Sequence, residues 1–269
     1  MLTKSNKTVL TDAKFDADEN GTRYLNHFFV RLVAKRRTFR NVDFRYSTFS
    51  DCYLRDAKFD SCDFTGCHFV STNLHGAIFS GCSFEYATFE KTSVDPTILD
   101  TEYPKQENLR MRFARSLRLN FQSIGDAAAV NKAMRMELEA TGTHLFKAFA
   151  SSEEYYRKKY RGILWWKVLY AWLLFRLGDF VWGNGESLKR LVRCVVLILI
   201  AMTLYDALNF GDPRISRTYW DAFLRSFDTF MGVQVATTYP GPYVAVVTLI
   251  RLIAIGFLLS IIIKKFNRR

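Results

Sequence analysis

From Phe39 onward a large apolar residue returns at every fifth position: Phe39, Phe44, Phe49, Leu54, Phe59, Phe64, Phe69, Leu74, Phe79, Phe84 and Phe89. Two places before each of the later ones stands a mostly small residue, in the series Val42, Ser47, Cys52, Ala57, Cys62, Cys67, Thr72, Ala77, Cys82 and Ala87, and the remaining positions are polar. A period of five matches neither the two of a strand nor the 3.6 of a helix, so neither element alone accounts for it. A fixed period of this kind marks an internal repeat. After Asp95-Pro96 and Tyr103-Pro104 the spacing becomes helical, with Leu109, Phe113, Leu117 and Phe121 at steps of four. Gly125-Asp126 interrupts it, and a second helix over 127–140 carries Val130, Met134 and Leu138, which predicts a helical hairpin within 104–162.

The C-terminal third is patterned for a bilayer. Residues 191–210 and 243–263 each reach the about 20 apolar residues that cross a membrane. Lys189, Arg190 and Arg193 precede the first, and Lys264, Lys265, Arg268 and Arg269 follow the second, which predicts both ends on the cytoplasmic side. Residues 163–182 are apolar but cut by Lys167, Arg176 and Asp179 and carry Trp165, Trp166, Trp172 and Trp182, as expected of a helix lying in the membrane interface over 163–188. Between the spans, 219–231 reads as a short amphipathic helix and 232–241 as an extended loop bounded by Gly and Pro.

The five-residue pattern resembles the pentapeptide-repeat family. The resemblance implies a right-handed parallel β-helix with about four pentapeptides per square turn, and neighbouring coils about 4.8 Å apart. The pentamer of residues 12–16 recurs at 56–60, so an early coil is expected within 1–103. Phe15 is out of step with Phe39, which predicts an insertion at about 17–36 whose run Lys35-Arg36-Arg37, with Arg40, is a solvated end. The spacing of Cys52, Cys62, Cys67 and Cys82 follows the repeat, so these cysteines are expected to be apolar fillers and not metal ligands.

Composition and charge narrow the class. With 49% hydrophobic and 24% charged residues, the chain is neither disordered throughout nor a purely multi-spanning membrane protein. The net charge of +12 is uneven: 14 cations face 15 acids in 1–107, 13 face 7 in 108–188, and 11 face 4 in 189–269. A uniformly basic nucleic-acid coat is excluded. The N-terminus lacks the apolar core of a secretory signal, so the first block is expected to be cytoplasmic.

The four histidines His27, His68, His75 and His144 are scattered, and no phosphate loop, zinc pair or nucleophile elbow is present, so an enzyme is not expected and no cofactor is implied. The surplus cations are the candidate chemistry. Arg112, Arg115 and Arg118 share one side of the first helix, with Arg110 close by and Lys132 and Arg135 on the second, and 109–118 holds no acid. Either this is a solvated face or it is an anion site, for which a nucleotide or oligonucleotide is the natural ligand.

The stretch 117–126, followed by Ala128 and Met136-Glu137, resembles the linker that joins bacterial pentapeptide repeats to two-helix channel domains. That resemblance implies a multidomain β and α membrane protein: β-helix, helical hairpin linker, and a two-transmembrane domain at 189–269 with a re-entrant pore helix. It implies a homotetramer in the inner membrane with Gly232, Gln234, Thr237 and Thr238 near a filter. The loop lacks the glycines of a potassium filter, which puts potassium selectivity in doubt. Asp228 and Arg251 are expected to pair behind that filter, because an arginine this deep in an apolar span needs a partner. In outline the chain also resembles channel effectors of Hailong-type anti-phage defence, which implies gating by single-stranded DNA made by a partner nucleotidyltransferase. The alternative is a membrane-tethered repeat scaffold that conducts nothing.

Overall fold

The computed structural model describes residues 7–212, 214–234 and 239–267, in two compact units that divide between Trp165 and Trp166. The first unit opens with eleven short strands: β1 Thr8–Thr11, β2 Glu19–Asn20, β3 His27–Val30, β4 Thr38–Arg40, β5 Thr48–Ser50, β6 Lys58–Asp60, β7 His68–Val70, β8 Asn73–Leu74, β9 Ile78–Ser80, β10 Thr88–Glu90 and β11 Ser93–Val94. All pair in parallel, in the orders β1-β3-β5-β7-β10, β2-β4-β6-β9 and β8-β11. Two rows of bridges, through Val33, Tyr53 and Asn73 and through Asp43, Asp63 and Ser83, complete four faces of a parallel β-solenoid.

Partners lie 20 residues apart, as in Phe29↔Phe49 and Phe39↔Phe59, so four pentapeptides close one coil. Like residues therefore stack. Phe29, Phe49, Phe69 and Phe89 form one ladder with ring centroids 4.9 to 5.0 Å apart, Phe39, Phe59 and Phe79 a second, and Phe44, Phe64 and Phe84 a third. Ala34, Leu54, Leu74 and Val94 fill the fourth face, all buried. Stacked or edge-on aromatic pairs add about 0.5–1.5 kcal/mol each beyond their buried area.

The corners have their own repeat. Every fifth residue from Asn26 to Lys91 has positive φ, though only Gly66, Gly76 and Gly81 among them are glycine. A non-glycine residue pays about 1–2 kcal/mol for that conformation. The solenoid holds it by a backbone bond to the next coil, as in Arg31 N–H to Ser50 C=O at 3.0 Å and Tyr46 N–H to Thr65 C=O at 2.9 Å. At Gly66 space is also at stake, since a β carbon would lie 2.7 Å from Cδ1 of Tyr46.

The expected insertion at 17–36 is absent, and those residues are ordinary solenoid. Glu19 pairs with Phe39 at an interval of 20, whereas Thr8 pairs with His27 at 19. The loss of step between Phe15 and Phe39 is thus one residue missing from the first coil. Lys35, Arg36 and Arg37 sit within a coil, where Arg36 approaches Asp56 at 3.7 Å.

Of the inward cysteines Cys52, Cys62 and Cys67 are buried and Cys82 is partly so, and their thiols donate to backbone carbonyls, as in Cys67 Sγ to Phe44 C=O at 2.9 Å. Burial pushes the Cys52 thiol up to about 11 and raises that of Cys67 further. Because thiolate is the reactive form, maleimide at pH 7.5 is expected to leave Cys52 and Cys67 unmodified until denaturant is added, as mass spectrometry of the labelled chain would read. Early labelling of either would contradict a filler role.

Helices then close the solenoid: α1 Ile98–Thr101, α2 Glu107–Ile124, α3 Ala127–Ala150 and α4 Glu154–Lys159. The five-residue step runs on past Phe89 through Val94 to Leu99, both buried. The open edge of the last coil is covered by polar side chains that stand in for a further strand. Asn120 Oδ1 accepts from Thr92 N–H at 2.7 Å and its Nδ2 donates to Thr92 C=O at 2.8 Å. Ser116 Oγ accepts from Phe89 N–H, and Glu102 accepts from Cys82 N–H at 2.7 Å. Phe113 continues the aromatic packing over Phe84 at 5.8 Å. An uncovered strand edge would invite pairing with another chain. Gly125, left-handed at φ 79, ends α2, and Asp126 caps α3 through Ala129 N–H. The second helix of the hairpin is longer than expected from the sequence, reaching Ala150 rather than residue 140.

The second unit carries the rest of α5 Ile163–Trp182, then α6 Leu188–Phe210, α7 Ser216–Met231 and α8 Gly241–Asn267. Both α6 and α8 are long and apolar enough to cross a membrane. A core helix of a soluble protein is mostly covered, yet here Val192, Val196, Ile200, Leu249, Leu252 and Leu259 are all exposed in the single chain. Leu199, Met202, Phe230 and Val247 form a small buried contact among α6, α7 and α8.

Candidate functional site

The basic face of the hairpin is largely committed to structure. Glu137 on α3 is only 7% exposed and accepts from Nε of both Arg115 and Arg118 on α2, each at 2.7 Å. A buried carboxylate needs such pairing to hold its charge. Arg115 and Arg118, expected in an anion site, are thus both paired within the fold, where together they fasten α2 to α3. Lys132 bonds Asp100. Arg110 lies 4.3 Å over the ring of Tyr103 and 3.7 Å from Glu139. Among the described residues Arg112 and Arg135 have no carboxylate partner, so of the six cations on this face these two keep their charge unspent.

A second polar cluster joins α2, α3 and α4. The ring nitrogens of His144 face Tyr156 Oη at 3.3 Å and Tyr160 Oη at 3.2 Å, and Tyr156 Oη donates to Glu107, which Lys147 holds at 2.7 Å. Burial, and then the charge of Lys159, depress the His144 pKa below 6.5. A depressed histidine contributes stability above its unfolded value and loses it as pH falls through the folded value. Between pH 7.5 and 5.5 the thermal stability of the chain is expected to fall, and His144→Phe should flatten part of that slope. An unchanged slope in His144→Phe would remove this cluster as a cause. His68 and His75, on the outward positions expected, contact Thr88 and Asp95 at 2.5 and 3.2 Å.

In the second unit, α7 is fixed to α6 by one ion pair. Asp206, 1% exposed, accepts from Nε and Nη2 of Arg225 at 3.0 and 2.7 Å. Beside it the second oxygen of Asp206, Ser226 Oγ and Tyr239 Oη are buried without a hydrogen-bond partner among the described residues. The expected pair of Arg251 with Asp228 is not formed. The Arg251 guanidinium instead lies against Gly232, where a β carbon would overlap Nη1. Gly232 is left-handed at φ 75 and ends α7, and Val233 N–H returns to Asp228 C=O at 3.0 Å. The last carbonyls of a helix carry partial negative charge, which favours a cation near that end. Thr229 Oγ1 bonds Gln234 C=O at 3.4 Å. Thr237 and Thr238 lie outside the described residues.

Sequence reasoning missed Glu137 as a binder of arginines and missed both Asp206 and Arg225. A lone acid near the end of an apolar helix was the available signal for Asp206.

The family "Pentapeptide repeats" matches residues 57–94 in 8 copies, so this part of the chain carries pentapeptide repeats, within a β-solenoid that a helical region follows. No curated protein matches it. Two trypsin-treated structures of QnrB1, a plasmid-mediated fluoroquinolone resistance protein, are similar at 18% and 23% identity, with TM-scores of 0.20 and 0.15. They align over 32% and 33% of this chain, which spans 62% and 54% of theirs. A pentapeptide repeat protein, Rfr23 of the cyanobacterium Cyanothece 51142, is 14% identical over 33% of this chain and 84% of its own, at a TM-score of 0.15.

Proposed function

We propose that the chain is one subunit of a ligand-gated ion channel of the bacterial inner membrane, with the solenoid and hairpin on the cytoplasmic side. The observation that carries this reading is the arrangement of the second unit. Two helices of spanning length flank a short one that ends on left-handed Gly232 and is anchored to the first by Asp206–Arg225. In two-helix channels such a short helix aims its carboxyl end at the ion path, and four copies close one pore. The exposed apolar faces of α6 and α8 fit burial by lipid and by neighbouring subunits.

The soluble region senses and does not catalyse. Its ligand on this reading is an oligonucleotide, consistent with the unspent Arg112 and Arg135 and with the resemblance to Hailong-type defence effectors, whose opening would depolarise an infected cell. Ion flux from proteoliposomes containing the purified chain tests the reading, measured with and without short single-stranded DNA. Flux that responds to the oligonucleotide is expected. A tethered scaffold would give none under any condition.

A further inference from the structure

Between α1, α2 and α3 lies an open pocket of about 360 Å³ lined in part by Asp100, Tyr103, Arg110, Lys132, Arg135 and Glu139. Its polar groups do not satisfy one another. Lys132 is taken by Asp100, but Nε of Arg110 is buried with no hydrogen-bond partner among the described residues. The nearest acid to Arg110, Glu139, is 68% exposed and stays at 3.7 Å, beyond hydrogen-bond length. Arg135 has no carboxylate partner among the described residues. A buried guanidinium N–H left unbonded is costly, and in a native protein it points to a bound water or ligand.

We infer that this pocket holds one phosphodiester group of a bound oligonucleotide between Arg110 and Arg135; the inference rests on the oligonucleotide reading above. Three cations face two acids, so the pocket has a surplus of one positive charge. A singly charged diester neutralises it, whereas a doubly charged phosphate monoester would overshoot. The two free oxygens of a diester suit the paired N–H groups of a guanidinium. Arg110 lies 4.3 Å over the Tyr103 ring, and aromatic and guanidinium groups together give an adjoining base a surface to lie on. That feature favours a nucleic acid over a lipid headgroup, which carries the same diester without a planar ring.

The test is calorimetric titration of the full chain in detergent with a deoxythymidine dinucleotide, which has one diester, and with thymidine, which has none. The dinucleotide is expected to bind and thymidine not to. Arg110→Gln, and separately the exposed Arg135→Gln, should each weaken binding at least tenfold, while Lys58→Gln on the solenoid should not. For a full-length single strand each substitution should also lower the slope of log affinity against log salt, by up to about 0.7 for one lost phosphate contact. Absence of dinucleotide binding, unchanged affinity in both variants, or equal competition by short-chain phosphatidylglycerol would each overturn the assignment. Oligonucleotide-gated flux that survives both substitutions would overturn the pocket and leave the channel standing. Dinucleotide binding lost in both variants, in a chain that never conducts, would do the reverse.

Discussion

Phe64→Ala is expected to unfold the solenoid cooperatively. Phe64 is 1% exposed, stacks on Phe44 at 5.2 Å and on Phe84 at 5.1 Å, and meets Phe59 edge-on at 5.3 Å. Truncating a buried Phe costs about 3–5 kcal/mol, which is a large share of the about 5–15 kcal/mol that holds a typical domain. The position magnifies the loss, because each coil is stabilised mainly by its two neighbours and Phe64 lies at the middle of its ladder. At about 2–4 °C per kcal/mol for a chain of this size, the melting temperature should drop by roughly 6–20 °C. Tyr86→Ala removes a larger ring from an outward, 55% exposed corner and is expected to change it little. Circular dichroism melts of the two variants decide the matter, and an unchanged melting temperature in Phe64→Ala would exclude the stacked aromatic core.

The solenoid was legible because its code is local. Each pentamer states which of its side chains face inward, so a single strand of text carries the coil, the faces and the ladders. The error over 17–36 arose from arithmetic alone, since an interval of 24 residues is equally one short of five pentamers or four beyond four. The marks that decide between them were present: Tyr24, Phe29 and Ala34 stand in step with Phe39, and Phe29 and Ala34 are buried. The end cap was not legible, because Ser116 and Asn120 are unremarkable helix residues until α2 is laid across the last coil.

The ion pairs failed for a different reason. Helical periodicity places Arg115 and Arg118 on one side of α2, but whether that side meets solvent or Glu137 depends on the rotation of α3 about its own axis, which no local pattern encodes. Depth in a span is likewise readable from sequence, and azimuth is not. Arg251 and Asp228 were matched by depth, while the fold turns Arg251 onto Gly232 and gives the buried pairing to Asp206 and Arg225.

Breaking the Asp206–Arg225 pair is therefore expected to be the most damaging change in the second unit. Asp206→Ala removes the carboxylate that Arg225 meets among the described residues and leaves a half-exposed guanidinium without it. Breaking one side of a fully buried pair typically costs about 3–5 kcal/mol, and because Arg225 is part-exposed the loss in Asp206→Ala is expected at or below the low end of that range. Since the pair ties α7 to α6, the loss should appear as a lower melting temperature in detergent and as lost flux in proteoliposomes together. Arg225→Ala, which strands the buried carboxylate of Asp206, should cost at least as much. The exchange Asp206→Arg with Arg225→Asp should recover part of both, because it restores the charges while altering the packing around them. Asp228→Asn provides the contrast: with no ion pair of its own among the described residues, Asp228 should tolerate the change with little loss of stability. If Asp228→Asn proves more harmful than Asp206→Ala, the anchor of α7 lies at its carboxyl end and the role assigned to Asp206–Arg225 is wrong.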